Sequence, residues 1–138
     1  MTVVVAHSKN GDVGKLNSTR NMLIYVFFVL FFIGIIFFEA TLPPSVGSAV
    51  IPHLDKVAHF LAFGLLGFLL LNAMRPVWMS VLWKDVMLVC VLVVLVSVAD
   101  EYVQAFNVTR QASLGDVLAG ALGAFTVTLW VKIRRKKP

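Results

Sequence analysis

The residues of this chain best suited to chemistry are Asp55, Lys56 and His59, which open an apolar run that continues to Met74. Asp55 and His59 stand four positions apart and Lys56 and His59 three, so a helix carries all of them on one face. Ionisable side chains at the mouth of a membrane-spanning helix mark a functional site by default, because a bilayer tolerates them only beside partners or water. A second polar set, Asp100, Glu101 and Gln104, repeats the same spacing at the end of another apolar run, and Arg110 and Asp116 follow it. An imidazole beside carboxylates can transfer protons near neutral pH. His59, Asp100, Glu101 and Asp116 are therefore the catalytic candidates. Together with Asp55, Lys56, Gln104 and Arg110 they form the candidate ligand-binding set.

Each of these residues also has a plainer reading. Charged groups at helix ends commonly sit in the headgroup layer, which is the expectation for Glu39 and an even alternative for Glu101. His59 alone reads as a hydrogen-bonded packing residue. Ser113-Leu114-Gly115-Asp116 matches a capping box, in which the serine and the acid satisfy free amides at a helix start. Arg110 is expected to pair with Asp100, Glu101 or Asp116, or to hold a ligand phosphate or carboxylate.

These residues need elements to position them, and composition says what kind. Of 138 residues, 59% are hydrophobic and only 14% charged, far from the soluble average and typical of a membrane protein. The net charge of +5 comes from basic residues flanking apolar runs, which argues against a nucleic-acid surface. Cys90, the single cysteine, lies inside an apolar run and reads as a small core residue. Residues 1–20 read as a mobile polar tail. Residues 21–38 carry no charge over 18 positions, close to the roughly 20 needed to cross a bilayer, and are longer than a secretory signal core. They read as an uncleaved first span.

A loop with Pro43, Pro44, Gly47 and Pro52 leads to a second span from Asp55 to Met74, and a short turn at 75–80 leads to a third. The valine-rich third span begins near Val81 or Asp85 and runs to Ala99, with the helix continuing into the Asp100 segment. An open strand edge in lipid would leave backbone groups unpaired, so a helix is expected there. The fourth span covers Ser113 to Val131, and residues 132–138 form a basic tail. Small residues at Gly64 and Gly67, and at Gly115, Ala119, Gly120, Gly123 and Ala124, point to close packing of spans two and four. That packing is expected to set Asp116 against His59.

The expected fold is thus an all-α polytopic membrane protein with four transmembrane helices. Ten of the twelve basic residues lie in the two tails and the 75–84 turn, which makes both termini cytoplasmic. Trp78, Trp83 and Trp130 fall at the same predicted boundary, as an interfacial aromatic belt would. The opposite side then collects Glu39, Asp55, Asp100, Glu101 and Asp116 with only Lys56 and Arg110, a formal charge of −3. Crowded carboxylates in a partly dry site require compensation by cations, hydrogen bonds or a metal.

The order Asp55-Lys56-Val57-Ala58-His59-Phe60, Phe63-Gly64 and Gly67, then Asp100-Glu101-Tyr102-Val103-Gln104 and Phe106, then Arg110, Asp116, Gly120 and Gly123, resembles the VanZ-like family of bacterial membrane proteins. The resemblance covers residues 21–131 and departs at Gln111-Ala112-Ser113, where no further acid precedes Asp116. It implies a multi-pass protein of the bacterial cytoplasmic membrane, in a family associated with teicoplanin and other glycopeptide resistance or with cell-envelope processes. It implies no settled reaction.

Three functions are compatible with these residues. The outer pocket binds or handles an envelope lipid or lipophilic glycopeptide-type ligand. Alternatively, an outer-leaflet enzyme uses His59 and a carboxylate as an acid–base pair on a lipid-linked substrate; no nucleophilic serine or cysteine is evident in the cluster. In the third, the polar set ties helices into a scaffold. No cofactor is expected, and a metal held by His59, Asp55, Asp100 and Glu101 is a lesser variant.

Overall fold

The computed structural model describes residues 2–43, 53–75, 79–107 and 110–135, with side chains from Ser18 onward. It contains four helices, α1 (Thr2–Thr41), α2 (Leu54–Met74), α3 (Trp83–Gln104) and α4 (Leu114–Arg134), and no strand among the described residues. Each carries a segment long and apolar enough to cross a membrane, of 24, 21, 22 and 21 residues. At 1.5 Å per residue, 21 residues cover about 32 Å, which matches a hydrocarbon core of about 30 Å.

α1 departs from expectation at its start. Residues 2–20, read from sequence as a mobile tail, continue the helix. That stretch contains no proline. Once the apolar span is helical, adding ordinary polar residues costs little, because nucleation is the unfavourable step. Pro44, Gly47 and Pro52 of the first loop, Trp78 of the expected aromatic belt, and residues 136–138 of the basic tail lie outside the described residues.

The bundle is organised around α2. Among its buried residues, Phe63, Gly64 and Gly67 meet Gly120, Gly123 and Ala124 of α4. This is the most extensive interface in the molecule. A Cβ at Gly67 would stand 3.1 Å from the Ala124 Cα, one at Gly120 would stand 2.9 Å from the Phe63 ring, and one at Gly123 would strike the Phe60 carbonyl oxygen. Glycine at these positions lets the two backbones touch, as the spacing of small residues implied.

α3 buries Val86, Val89, Val93 and Ser97 on one face and carries Asp100, Glu101 and Gln104 to its end. It packs against α1, α2 and α4. α1 contributes a narrow stripe, Val29, Ile36 and Ala40, and packs on α2 and α3 but not α4 among the described residues. Its other faces expose Phe27, Leu30, Phe31 and Phe38, as a surface facing lipid requires.

Candidate functional site

His59 begins the second turn of α2, and its ring is fixed on both sides. Nδ1 lies 3.0 Å from the Asp55 carbonyl oxygen. That oxygen has no proton to give, so Nδ1 carries the N–H and donates it. Nε2 then faces α3, 3.3 Å from Asp100 Oδ2 and 3.3 Å from Glu101 Oε1. Phe63, one turn further along, stacks on the imidazole with ring centres 5.6 Å apart. Asp100 and Glu101 are only 3% and 5% exposed. Such an arrangement is attractive only with positive charge between the imidazole and the acids.

Both acids are also oriented by hydrogen bonds, Asp100 on the oxygen that faces His59 and Glu101 on the oxygen that faces away from it. Gln104 Nε2 donates to Asp100 Oδ2 at 3.0 Å, an i to i+4 bond within the last turn of α3. The Ser113 amide donates to Glu101 Oε2 at 2.6 Å. Ser113 is the residue preceding α4, and its own side chain makes no cap bond. The expected capping box is therefore replaced by a cap supplied across the loop: Glu101 does for the Ser113 amide what Asp116 was expected to do.

Asp116 is free for another partner. Its Oδ1 accepts from Lys56 Nζ at 3.0 Å, while Lys56 also lies 3.6 Å from Asp55 Oδ2. Asp116 does lie close enough to His59 for its charge to act on the imidazole, but its hydrogen-bond partner on α2 is Lys56, one turn nearer the helix start. Gly115 makes room for this, since a Cβ there would stand 3.0 Å from Lys56 Cε.

Arg110 does not pair with Asp100, Glu101 or Asp116. Its guanidinium reaches Glu39 Oε1 at 2.8 Å, so Glu39, expected to rest among headgroups, is the residue that ties α1 to the loop before α4. Asn107 Nδ2 reinforces that tie by donating to the carbonyl oxygens of Thr41 and Leu42 at 3.3 and 3.2 Å. Between α1, α2 and the end of α3 lies a cleft of about 700 Å³. Asp55, Lys56, His59, Asp100, Gln104, Arg110 and Asp116 line it, together with Phe32, Ile35, Ile36 and Glu39 of α1. Glu101 sits behind His59. At the mouth, His53 precedes α2 in a left-handed conformation, φ 64°.

Sequence reasoning passed over two features. Ser97, one turn below Glu101 on the same face of α3, is fully buried, and its hydroxyl has no hydrogen-bond partner among the described residues. The i to i+4 spacing of Ser97 and Glu101 in an apolar helix was the available signal. At the other end of the bundle, Arg75 grips Asp85 through Nε at 2.9 Å and a terminal nitrogen at 3.1 Å. Arg135 donates to Asn72 Oδ1 at 2.6 Å and Lys132 to the Val81 carbonyl at 2.8 Å. Basic residues at the expected cytoplasmic boundary thus also fasten α4 to the α2–α3 turn.

Four membrane-spanning helices with an ionisable cluster buried at one end define a multi-pass helical membrane protein with a polar cleft. The VanZ/LLP1 family profile matches residues 2–135, nearly the whole chain, and the protein belongs to that family. The match extends through the helical start of α1, beyond the residues 21–131 that carry the resemblance. No curated protein and no solved structure matches the chain.

Proposed function

We propose that the cleft binds a cell-envelope lipid or a lipophilic glycopeptide-type ligand at the outer face of the bacterial cytoplasmic membrane, with both termini inside. The observation that carries this reading is the mixed polar and apolar lining of the cleft. Polar side chains from α2, α3 and α4, of which Asp100, Gln104 and Asp116 are buried, share the cleft with Phe32, Ile35 and Ile36 of α1, which suits an amphipathic molecule whose polar part is recognised and whose chain lies along helices. Charge narrows the ligand. Lys56 and Arg110 are each already paired with an acid, so the site favours uncharged or cationic polar groups over a purely anionic headgroup. The outer placement is supported by the distribution of basic residues, ten of twelve at the opposite end. Effects on teicoplanin susceptibility follow under this reading if the bound molecule is the antibiotic or its envelope target.

The test is native mass spectrometry of the protein released from detergent, followed by titration with whatever copurifies. Saturable binding without product is expected. Arg110→Ala, which frees Glu39 and loosens one wall, should weaken it about tenfold or more, equivalent to about 1.4 kcal/mol. Unchanged affinity in that variant would count against the cleft. The catalytic reading draws on one observation, the 3.3 Å approach of His59 Nε2 to two carboxylates. It requires turnover of a lipid-linked substrate that Asp100→Asn abolishes at equal membrane abundance.

A further inference from the structure

His59, Asp100 and Glu101 present three donor atoms from two helices, all within 4.8 Å of one another. We propose that they bind one divalent transition-metal ion, of the zinc or manganese class, with its open coordination position facing the cleft. This goes beyond the ligand reading above and stands without it.

Three geometric facts support the site. Ligand atoms at 2.0–2.1 Å from a tetrahedral zinc are separated by about 3.3 Å. His59 Nε2 stands 3.3 Å from Asp100 Oδ2 and 3.3 Å from Glu101 Oε1. Next, His59 donates Nδ1–H to the Asp55 carbonyl, the outer hydrogen bond that fixes the tautomer and ring plane of a metal-binding histidine. Finally, Gln104 fixes the Asp100 oxygen that faces His59 and the Ser113 amide holds the far oxygen of Glu101, while Asp100 Oδ1 and Glu101 Oε1 are buried and accept no hydrogen bond. Buried oxygens without donors are costly unless a cation satisfies them.

The donor set also indicates which metals fit. One imidazole and two carboxylates suit zinc or manganese better than the soft-ligand metals. Asp55 is not a ligand, because its carboxylate turns to Lys56 and only its carbonyl touches His59. Asp100 and His59 line the cleft, so a molecule entering it can reach the fourth position.

The experiment uses the full chain in detergent without added lipid, stripped with chelator and then exposed to zinc, manganese or cobalt. Roughly one ion per chain is expected, with cobalt giving the visible absorption of a four-coordinate site. Glu101→Gln, which keeps an acceptor for the Ser113 amide, and His59→Ala should lose metal. Gln104→Ala, which leaves every ligand in place, should weaken binding about 10- to 100-fold. Wild-type protein that retains no ion, or metal content equal in wild type, Glu101→Gln and Gln104→Ala, overturns the proposal and leaves a proton between the imidazole and the acids. Should the ligand variants misfold, the wild-type cobalt spectrum and the Gln104→Ala affinity still decide. A bound metal with no lipid captured would refute the ligand reading alone.

Discussion

Glu101 carries two roles on its two oxygens. Oε2 caps α4 through the Ser113 amide, and Oε1 faces His59. Removing the side chain leaves a half-buried amide without its acceptor, which costs about 1–3 kcal/mol. Glu101→Ala is therefore expected to destabilise the protein by that amount in reversible detergent unfolding, with Glu101→Gln recovering at least half of the loss. Equal stability of the two variants would mean that the cap bond contributes nothing. Sequence spacing placed Glu101 near the other polar residues. It could not say that the acid would replace Asp116 as the cap, because only Asp116 fits the local capping pattern, whereas Glu101, at the end of α3, meets the Ser113 amide through the path of the loop.

At the scale of elements, the α2–α4 contact is what brings Lys56 to Asp116. The contact exists because Gly67, Gly120 and Gly123 let main chains and rings approach to near van der Waals distance. Gly123→Ala puts a methyl group on the Phe60 carbonyl, and neither backbone can yield without separating the helices. A loss of about 3 kcal/mol or more is expected, at the upper end of overpacking costs. Gly34→Ala is the control: nothing lies within 4 Å of a Cβ there, so helix propensity leaves it within about 1 kcal/mol of wild type, on the favourable side. Both are read from the midpoint of unfolding in mixed micelles. A tolerated Gly123→Ala would show that α2 and α4 are further apart than described.

For the whole molecule, the two ends are fastened differently. The cleft end relies on ion pairs across all four helices and the loop before α4, the other end on Arg75, Lys132 and Arg135 reaching carbonyls, Asn72 and Asp85. Only the second end is rich in basic residues, and lysine and arginine near short loops are retained on the cytoplasmic side. With Cys90 replaced by alanine, a membrane-impermeant thiol reagent added to intact cells should label Gln111→Cys and not Ser80→Cys. The reverse pattern would invert the topology and move the cleft to the cytoplasm.

Hydrophobic run length determined the four spans, because a helix crossing lipid must satisfy its own backbone and needs a set number of apolar residues. The spacing of glycines likewise indicated that α2 meets α4, since only small residues permit that approach. Partner choice among the ionisable residues was decided by tertiary structure alone. Asp55, Lys56, His59, Asp100, Glu101, Arg110 and Asp116 offer many pairings of equal chemical merit, and charge is blind to order along the chain. Helix rotation and the path of the loop selected His59 with Asp100 and Glu101, Lys56 with Asp116, and Arg110 with Glu39. A shift of one helical turn, about 5.4 Å, would have exchanged those partners.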